Sequence, residues 1–85
     1  MTYTVRVTSA ARRQIRKLPR DGQERVLAVL SLLADEPRPP ASKKLTGRSA
    51  WRVRTGNWRV IYEIHDDELL IMVIAAGNRR DVYRG

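Results

Sequence analysis

The sequence predicts an α+β fold in which a helical hairpin packs on a mostly antiparallel, twisted sheet. Three observations support this prediction: an alternating strand at the start, two amphipathic helical segments after it, and three strand-like runs separated by short turns. The predicted element order is β-α-α-β-β-β, with the helices on one face of the sheet. The 85 residues contain no repeat and no linker, so we expect a single domain over residues 1–85.

The first strand and the first helix follow from local patterns. Apolar and polar residues alternate from Thr2 to Thr8, which predicts a short strand with one buried face. Ser9 is then the expected N-cap of a helix. Apolar residues at i, i+4 and i+7 give this helix one apolar stripe among basic residues, and Pro19 ends it.

The second helix is predicted to begin at Asp21, because Glu24 lies three residues later and would complete a capping box. A broad apolar stripe runs along this helix, and Pro37 ends it at or before Glu36. Because the link between the two helices is short, we expect them to form an antiparallel hairpin.

Residues 37–50 have the least regular pattern in the chain. They contain three prolines, and their basic residues include Lys43, Lys44 and Arg48. We expect a fourteen-residue loop here, and a loop of that length in so small a domain is often functional.

Three strands are predicted in the second half of the chain, over residues 51–54, 58–65 and 69–76. The last of these is an uninterrupted apolar run, which is typical of a central strand covered on both faces. Gly77 is expected to end it. The strands are joined by short turns, so the sheet should be mostly antiparallel.

Composition excludes several functional classes. The chain has no Cys and one His, which excludes a disulfide framework, a thiolate zinc site, a Cys nucleophile and a multi-His metal site. We therefore expect no metal and no cofactor. No apolar run reaches the ~18 residues of a membrane span, and no signal-peptide pattern is present, so a cytoplasmic protein is expected.

The charge indicates an anionic partner. Lys and Arg number 17 against 9 for Asp and Glu, which gives a net charge of +8, and 14 of the 17 cations are Arg. Nucleic acid, an acidic membrane and an acidic protein are all candidates. The excess of Arg favours phosphate, because a planar guanidinium binds it through two hydrogen bonds. A solvated basic surface without a specific partner is the alternative.

Strand periodicity predicts that several of these arginines share one face of the sheet. Arg52 and Arg54 lie on the side of their strand away from the apolar residues, and Arg59 faces away from the predicted core. The turn between the two strands would bring these three together, with Arg79 and Arg80 leaving the central strand nearby. Clustered guanidinium groups repel one another, which favours a phosphate site among them.

Nearby acidic and aromatic residues leave other interpretations open. Glu63 and Asp81 could neutralise the arginines as structural ion pairs, although two acids leave an excess of positive charge. Tyr83 could stack on a base or transfer a proton, or it could pack its ring on the sheet. Trp51 and Trp58 have the opposite parity to the arginines, so we assign them to the core or its rim and not to base stacking.

His65 is the only histidine, and histidine is the side chain that most often acts as a general acid or base. It closes the predicted strand over residues 58–65 beside an acidic turn, which would repel a phosphodiester. It also lies about 20 Å along the strand from Arg59. We therefore expect a structural turn histidine.

Four motifs in order resemble the RelE/ParE toxin superfamily of bacterial type II toxin–antitoxin systems. They are Lys44-Leu45-Thr46-Gly47, Trp51-Arg52-Val53-Arg54, the run from Gly56 to Ile64, and the ending from Gly77 to Arg84. The resemblance covers essentially the whole chain. It implies the compact, ribonuclease-like RelE fold, with a helical hairpin on a twisted antiparallel sheet.

The resemblance also implies a function. The RelE branch cuts messenger RNA in the ribosomal A site, whereas the ParE branch poisons DNA gyrase and lacks the basic catalytic set. Working residues of RelE-like members are cations on the second and third strands, an Arg after the last strand and a C-terminal Tyr. The matching positions here are Arg52, Arg54, Arg59, Arg79 and Tyr83. All five are suitable, which favours a metal-independent, ribosome-dependent messenger RNA endoribonuclease.

The expected roles divide these positions into two groups. The catalytic set is Arg54, Arg59, Arg79 and Tyr83. The expected RNA-binding residues are Arg52, Lys43, Lys44, Arg48 and Arg80. The expected partners are the ribosome, messenger RNA and a RelB-like antitoxin with an acidic amphipathic helix, and no membrane.

Two departures from the family pattern keep alternatives open. The second-strand positions are often Lys, and both are Arg here, which is a poor general base. Many relatives carry His where this chain has Asn78. Both departures weaken acid–base chemistry but leave phosphate binding intact. A gyrase-poisoning toxin and a non-catalytic nucleic-acid-binding module on the same fold are therefore the alternatives.

Overall fold

Five strands and two α-helices make up the computed structural model, which describes residues 2–47 and 49–78. Neither described helix is long and apolar enough to cross a membrane. The elements in chain order are β1 (Thr4–Val7), α1 (Ser9–Arg16), α2 (Arg20–Asp35), β2 (Ser42–Lys44), β3 (Trp51–Thr55), β4 (Trp58–His65), a short 3-10 helix (Asp66–Glu68) and β5 (Leu70–Asn78).

The strands form one sheet in the order β1-β5-β4-β3-β2. All neighbours are antiparallel except β1, which pairs with β5 in parallel after the chain has crossed over through the two helices. The predicted α+β class is confirmed. The apolar run of β5 is a central strand between β1 and β4, as predicted. The predicted coverage of both faces is not seen, because buried and half-buried residues alternate along most of the strand.

The predicted loop over residues 37–50 is wrong in part, because it contains the edge strand β2. Lys43 pairs with Arg52 and Lys44 with Trp51, and Leu45 donates its backbone N–H to the Ala50 carbonyl at 2.9 Å. An edge strand with exposed lysines has no apolar alternation that would identify it in the sequence. Its backbone pairing with β3 alone defines it.

The predicted end of the last strand at Gly77 is also wrong. β5 continues to Asn78, because its last residues pair with the first residues of β4: Gly77 with Arg59 and Asn78 with Trp58. Glycine weakens a strand but does not prevent it where the neighbouring strand supplies ladder hydrogen bonds. A register shift between Ile61 and Tyr62 separates this end of the ladder from the rest, because β5 has one extra residue there, Ile74.

Both predicted helix starts differ by one residue from those observed. Thr8, not Ser9, is the N-cap of α1, and its hydroxyl accepts a hydrogen bond from the Ala11 N–H at 3.1 Å. Helix α2 begins at Arg20 and not at Asp21, so the predicted capping box is wrong.

At the corner between the two helices, a side chain of α2 hydrogen-bonds to the end of α1. The Gln23 side-chain amide donates to the carbonyls of Arg16 and Leu18 at 3.1 and 3.0 Å, which satisfies acceptors at the end of α1. Glu24 contacts Arg20 at 3.4 Å as an exposed i,i+4 ion pair. The predicted stop before Pro37 is confirmed, since α2 ends at Asp35.

The core lies between the helices and one face of the sheet. The largest fully buried residues of this core are Tyr62, Leu33, Ile71, Val26, Val60 and Val73. Burying one large apolar side chain contributes about 1.5–3 kcal/mol relative to leaving it in water. The Tyr62 hydroxyl donates to the Pro37 carbonyl at 2.8 Å, and burial raises the pKa of Tyr62. This bond anchors the connection after α2 to the centre of the sheet.

Helix α2 packs closely against the sheet residue Trp58 at Gly22. A Cβ built there would lie 2.9 Å from Cε2 and Cζ2 of Trp58, and 3.3 Å from Cβ of Leu18. Real side chains do not approach this closely. The missing Cβ therefore allows the indole of Trp58 to pack directly against the helix backbone.

A polar cluster ties together three separate segments at the far end of β4. Arg38 binds Asp66 through two hydrogen bonds of 2.8 and 3.3 Å, and the Tyr3 hydroxyl donates to the same carboxylate at 2.6 Å. Arg38 also lies 5.3 Å above the centroid of the Trp51 ring. The Arg38 and Tyr3 hydrogen bonds lower the pKa of Asp66 to about 2.

We expect Gly22→Ala to destabilise the protein. Alanine gains about 1 kcal/mol of helix propensity over glycine, but displacing a packed indole costs typically 1–3 kcal/mol. Urea unfolding of the variant should show a lower midpoint with an unchanged slope. Ser31→Ala, at an exposed position of the same helix, is the control and should not lower the midpoint. A Gly22→Ala protein stabilised by the full propensity gain would contradict the packing described.

We expect Asp66 to make folding stability depend on acidic pH. Folding lowers its pKa from 3.8 to about 2, so its contribution is complete above about pH 4 and is lost as the pH falls toward 2. Asp66→Asn should remove that part of the decline in the free energy of unfolding. Asp67→Asn, in the same exposed turn, is the matched control and should retain the wild-type profile. Identical profiles for the two variants would count against the Arg38–Asp66 link.

Candidate functional site

Strand register places four cations of β2, β3 and β4 together on the sheet face opposite the helices. Val53 of β3 pairs with Val60 of β4, and both valines are buried in the core. Because side chains alternate along a strand, the residues flanking these valines lie on the other face. We call this set the cationic face; it consists of Lys43, Arg52, Arg54 and Arg59.

The centre of the cationic face is a directly opposed pair of arginines. Arg54 and Arg59 are register partners, and such residues have Cβ atoms about 4.5–5.5 Å apart. Arg54 is exposed, whereas Arg59 is 8% exposed and is the one buried charged residue among those described. Burial gives the Arg59 guanidinium a fixed position, while Arg54 beside it remains accessible to a ligand.

The cationic face continues toward the edge of the sheet. Arg52 lies next to Arg54 on the same face, two residues back along β3, and Lys43 on β2 is the register partner of Arg52. Lys44 pairs with Trp51, which packs against the core, so Lys44 lies on the opposite face at this edge. The two lysines were predicted together as RNA-binding residues, and the structure separates them by face.

A further cation, Arg25 of helix α2, lies against the hairpin turn between β3 and β4. Gly56 and Asn57 join β3 to β4, and Gly56 has a φ of +61°, a conformation that glycine adopts without strain. A Cβ at Gly56 would lie 3.4 Å from Nη1 of Arg25, so this helix α2 arginine covers the turn. Sequence periodicity did not identify Arg25, because only the packing of α2 over the hairpin places it against Gly56.

Four predicted site residues lie outside the described residues: Arg48, Arg79, Arg80 and Tyr83. The last described residue is Asn78, the register partner of Trp58. It follows Gly77, which pairs with Arg59. Strand β5 therefore ends beside the first residues of β4, at the same end of the sheet as the central arginine pair.

The single histidine lies at the other end of β4. His65 contacts Glu63 through Nε2 at 3.1 Å and faces Glu68 through Nδ1 at 3.8 Å. Six residues of strand, or about 20 Å, separate it from Arg59. Glu63, predicted as a possible neutraliser of the arginines, is thus in contact with His65 at the acidic end of the strand.

The cationic face combines one buried guanidinium group with two more exposed ones, on Arg52 and Arg54, and with the ammonium group of Lys43. Such an arrangement binds phosphate oxygens and stabilises negative charge that develops on phosphorus. In residues 2–47 and 49–78, no three His, Asp or Glu side chains converge on a position that could hold a metal ion.

Comparison with known proteins identifies similar chains. A family model described as the ParE toxin of type II toxin–antitoxin systems matches residues 5–83. Toxin RelG of Mycobacterium tuberculosis is 34% identical over 92 residues, and the alignment covers 99% of both chains.

Two solved structures share the fold. One is the toxin–antitoxin complex RelBE2 from Mycobacterium tuberculosis, with a TM-score of 0.74 and 30% identity over 93% of this chain and 100% of that one. The other is the archaeal RelE–RelB complex from Pyrococcus horikoshii, with a TM-score of 0.82 and 27% identity over 100% of both chains. The alignments span almost the entire sheet and helical hairpin.

We expect Arg54→Ala to reduce the salt dependence of binding to a single-stranded oligonucleotide. Each phosphate contact contributes about 0.7 to the slope of log K against log salt concentration for single strands. The slope should fall by about this amount, as measured by fluorescence anisotropy with 2′-O-methyl RNA.

Arg6→Ala is the matched control. Arg6 is an exposed arginine on β1, at the opposite edge of the sheet, and its loss should leave the slope unchanged. Equal slopes for the wild type and the Arg54 variant would remove Arg54 from the phosphate contacts.

Proposed function

Because this chain belongs to the RelE/ParE toxin superfamily of type II toxin–antitoxin systems, we propose that it cleaves messenger RNA on the ribosome and so stops translation. The observation that carries the proposal is the opposed pair of Arg54 and Arg59 at the centre of the cationic face. The family resemblance assigns such a basic set to the RelE branch, and the similarity to RelE-type structures over the whole chain supports that assignment.

The proposed reaction is an internal transesterification of RNA. The 2′-oxygen attacks the adjacent phosphorus and forms a new P–O bond, and the bond from phosphorus to the 5′-oxygen breaks. The proton of the 2′-hydroxyl is lost, and the leaving 5′-oxygen takes up a proton. The products are a 2′,3′-cyclic phosphate and a 5′-hydroxyl. DNA lacks the 2′-hydroxyl and is not a substrate for this reaction.

The arginines act by alignment and charge. Arg59, held in place by burial, grips a phosphate oxygen together with Arg79. Arg54 stabilises the charge that develops on the phosphorane, and Arg52 holds the neighbouring RNA. Tyr83 orients the nucleotide or transfers a proton. The roles of Arg79 and Tyr83 are taken from the family resemblance. No arginine is assigned as the general base.

The outer cations extend the path of the RNA. Lys43 continues the cationic face beyond Arg52 at the sheet edge, and this continuity supports a role in RNA binding. Lys44, Arg48 and Arg80 complete the proposed RNA-binding set. Their contribution is electrostatic, since phosphate contacts position an RNA without reading its bases.

The ribosome and an antitoxin are the proposed partners. A chain with a net charge of +8 is attracted to ribosomal RNA, and the ribosome would hold the messenger in the bent geometry that in-line attack requires. Both similar structures are toxin–antitoxin complexes, which supports a RelB-like antitoxin with an acidic helix as the inhibitor. This activity places the protein in the cytoplasm.

A gyrase-poisoning toxin is the second candidate function. The observation that favours it is the match of residues 5–83 to a model of the ParE toxin. The two candidates differ in their requirements: a gyrase poison does not need Arg54 or Arg59. A non-catalytic nucleic-acid-binding module would bind RNA but leave it intact.

We expect the purified protein to cut a defined messenger RNA within codons during cell-free translation, as mapped by primer extension. Arg54→Ala should slow single-turnover cleavage by about 10²-fold, because loss of one preorganised charge in a site of this kind has that effect. Arg6→Ala should cut at the wild-type rate. Intact RNA together with linearised supercoiled DNA in the presence of gyrase would instead establish the second candidate.

We expect His65→Ala to cleave at a near-normal rate from about pH 5.5 to 9. His65 contacts Glu63 and faces Glu68 at the acidic end of β4, about 20 Å along the strand from Arg59, so we expect it to take no part in the reaction. The measurement is single-turnover cleavage on ribosome complexes, with the wild type in parallel. If the cleavage rate of the wild type changes at about pH 6.5 and that of the variant does not, His65 is catalytic and the active site lies at the His65 end of β4.

A further inference from the structure

A pocket of about 430 Å³ lies on the helix side of the sheet, where β4 begins and β5 ends. Its apolar walls include Leu18, Pro19 and the indole of Trp58, and its polar groups include Gln14 and Lys17. The volume falls within the range of about 300–1,000 Å³ that is typical of small-molecule sites. Nothing in the proposed cleavage reaction uses this pocket.

Two walls of the pocket are rigid. Gly22 allows the Trp58 indole to pack against the backbone of α2, which fixes the plane of the ring. The Gln14 side chain is held by the Ala76 N–H, which donates to its Oε1 at 2.9 Å. That bond uses the Oε1 of Gln14 as acceptor and so orients the amide group. The two amide N–H groups can then donate to a carbonyl oxygen of a ligand.

Gly77 connects the pocket to the strand that carries Arg59. This residue lines the pocket and is also the register partner of Arg59. Neighbouring strands are about 4.8 Å apart, so the backbone of Arg59 lies close to the pocket, while its side chain lies on the opposite face of the sheet. A strand of RNA that wraps around this end of the sheet can place a phosphate on the cationic face and the neighbouring base in the pocket.

The surroundings of the pocket are positively charged. The corner between α1 and α2 exposes Arg13, Arg16, Lys17 and Arg20. Two exposed acidic residues, Asp21 and Glu24, lie at the same corner, and Glu24 contacts Arg20. The four cations still leave an excess of positive charge there. An aromatic wall within a basic surround is the combination that binds single-stranded nucleic acid, through stacking and phosphate contacts together.

We propose that this pocket binds one nucleobase of single-stranded RNA, stacked on Trp58 and hydrogen-bonded by the amide of Gln14. The inference rests on the proposed RNA substrate and adds a site that selects the nucleotide next to the scissile phosphate. Bases with a carbonyl oxygen that faces the Gln14 amide are preferred. Trp58 thus has a ligand-binding role that its strand parity did not indicate, because the pocket opens on the helix side of the sheet.

The test uses the full chain and 2′-O-methyl RNA trinucleotides, which bind but cannot be cut because the attacking hydroxyl is blocked. The indole N–H signals of Trp58 and Trp51 are followed by two-dimensional NMR and assigned with Trp58→Phe and Trp51→Phe. A second trinucleotide, of equal charge, carries one abasic position. Because the readout is on the wild-type protein, it does not depend on how well a variant folds.

We expect the intact trinucleotide to shift the Trp58 signal and leave that of Trp51 unchanged, since Trp51 lies on β3, pairs with Tyr62, stacks under Arg38 and does not line the pocket. The abasic trinucleotide should bind about tenfold more weakly, which is the loss expected for one stacked base. Trp58→Leu should reduce affinity for the intact trinucleotide by a similar factor, and Trp51→Leu should not.

Several results would overturn the inference. If both trinucleotides bind with equal affinity and shift only the backbone NMR signals of Arg54 and Arg59, the phosphate site is supported and the pocket does not bind a base. If an acidic amphipathic peptide shifts Trp58 and RNA does not, the pocket belongs to a protein partner. If no trinucleotide binds, the inference fails, and messenger RNA cleavage mapped by primer extension decides the proposed function separately.

Discussion

The pairing of Val53 with Val60 is the constraint on which the candidate site depends. Both valines must face the helices, because the core between the helices and the sheet is built on them. With side chains alternating along each strand, that requirement places Arg52, Arg54 and Arg59 on the opposite face. A slip of one residue would turn three guanidinium groups into the core and the valines into water, so hydrophobic burial enforces the position of the charges.

Strand β4 connects two ends of the sheet with opposite electrostatic character. Arg59 lies near its start among other cations, and His65 lies at its end between Glu63 and Glu68. The acidic end also holds Asp66, which ties β1 and the connection after α2 to the turn. The cationic face and the structural ion pairs at the acidic end are thus separated by about 20 Å of strand.

Local patterns were reliable where a physical constraint acts on consecutive residues. Alternation identified the limits of β4, the Pro37 stop ended α2 as predicted, and parity placed the arginines of β3 and β4 on one face. The patterns failed where distant pairing decides. Strand β2 exists because β3 supplies its hydrogen bonds, and β5 runs through Gly77 because β4 continues beside it. The start of α1 was misplaced by one residue because Thr8 and Ser9 have equivalent capping hydroxyls.

The sequence by itself determined the α+β class, the residues of the two helices and the main strands to within one or two positions, and the shared face of Arg52, Arg54 and Arg59. These depend on chain periodicity, which is a local property. Only the tertiary structure decided that Arg59 is buried while Arg54 is exposed, that Arg25 covers the hairpin turn, and that a pocket opens beside Trp58. Burial and cavities depend on which elements pack together across the chain, and side-chain spacing within one element contains no information on that packing.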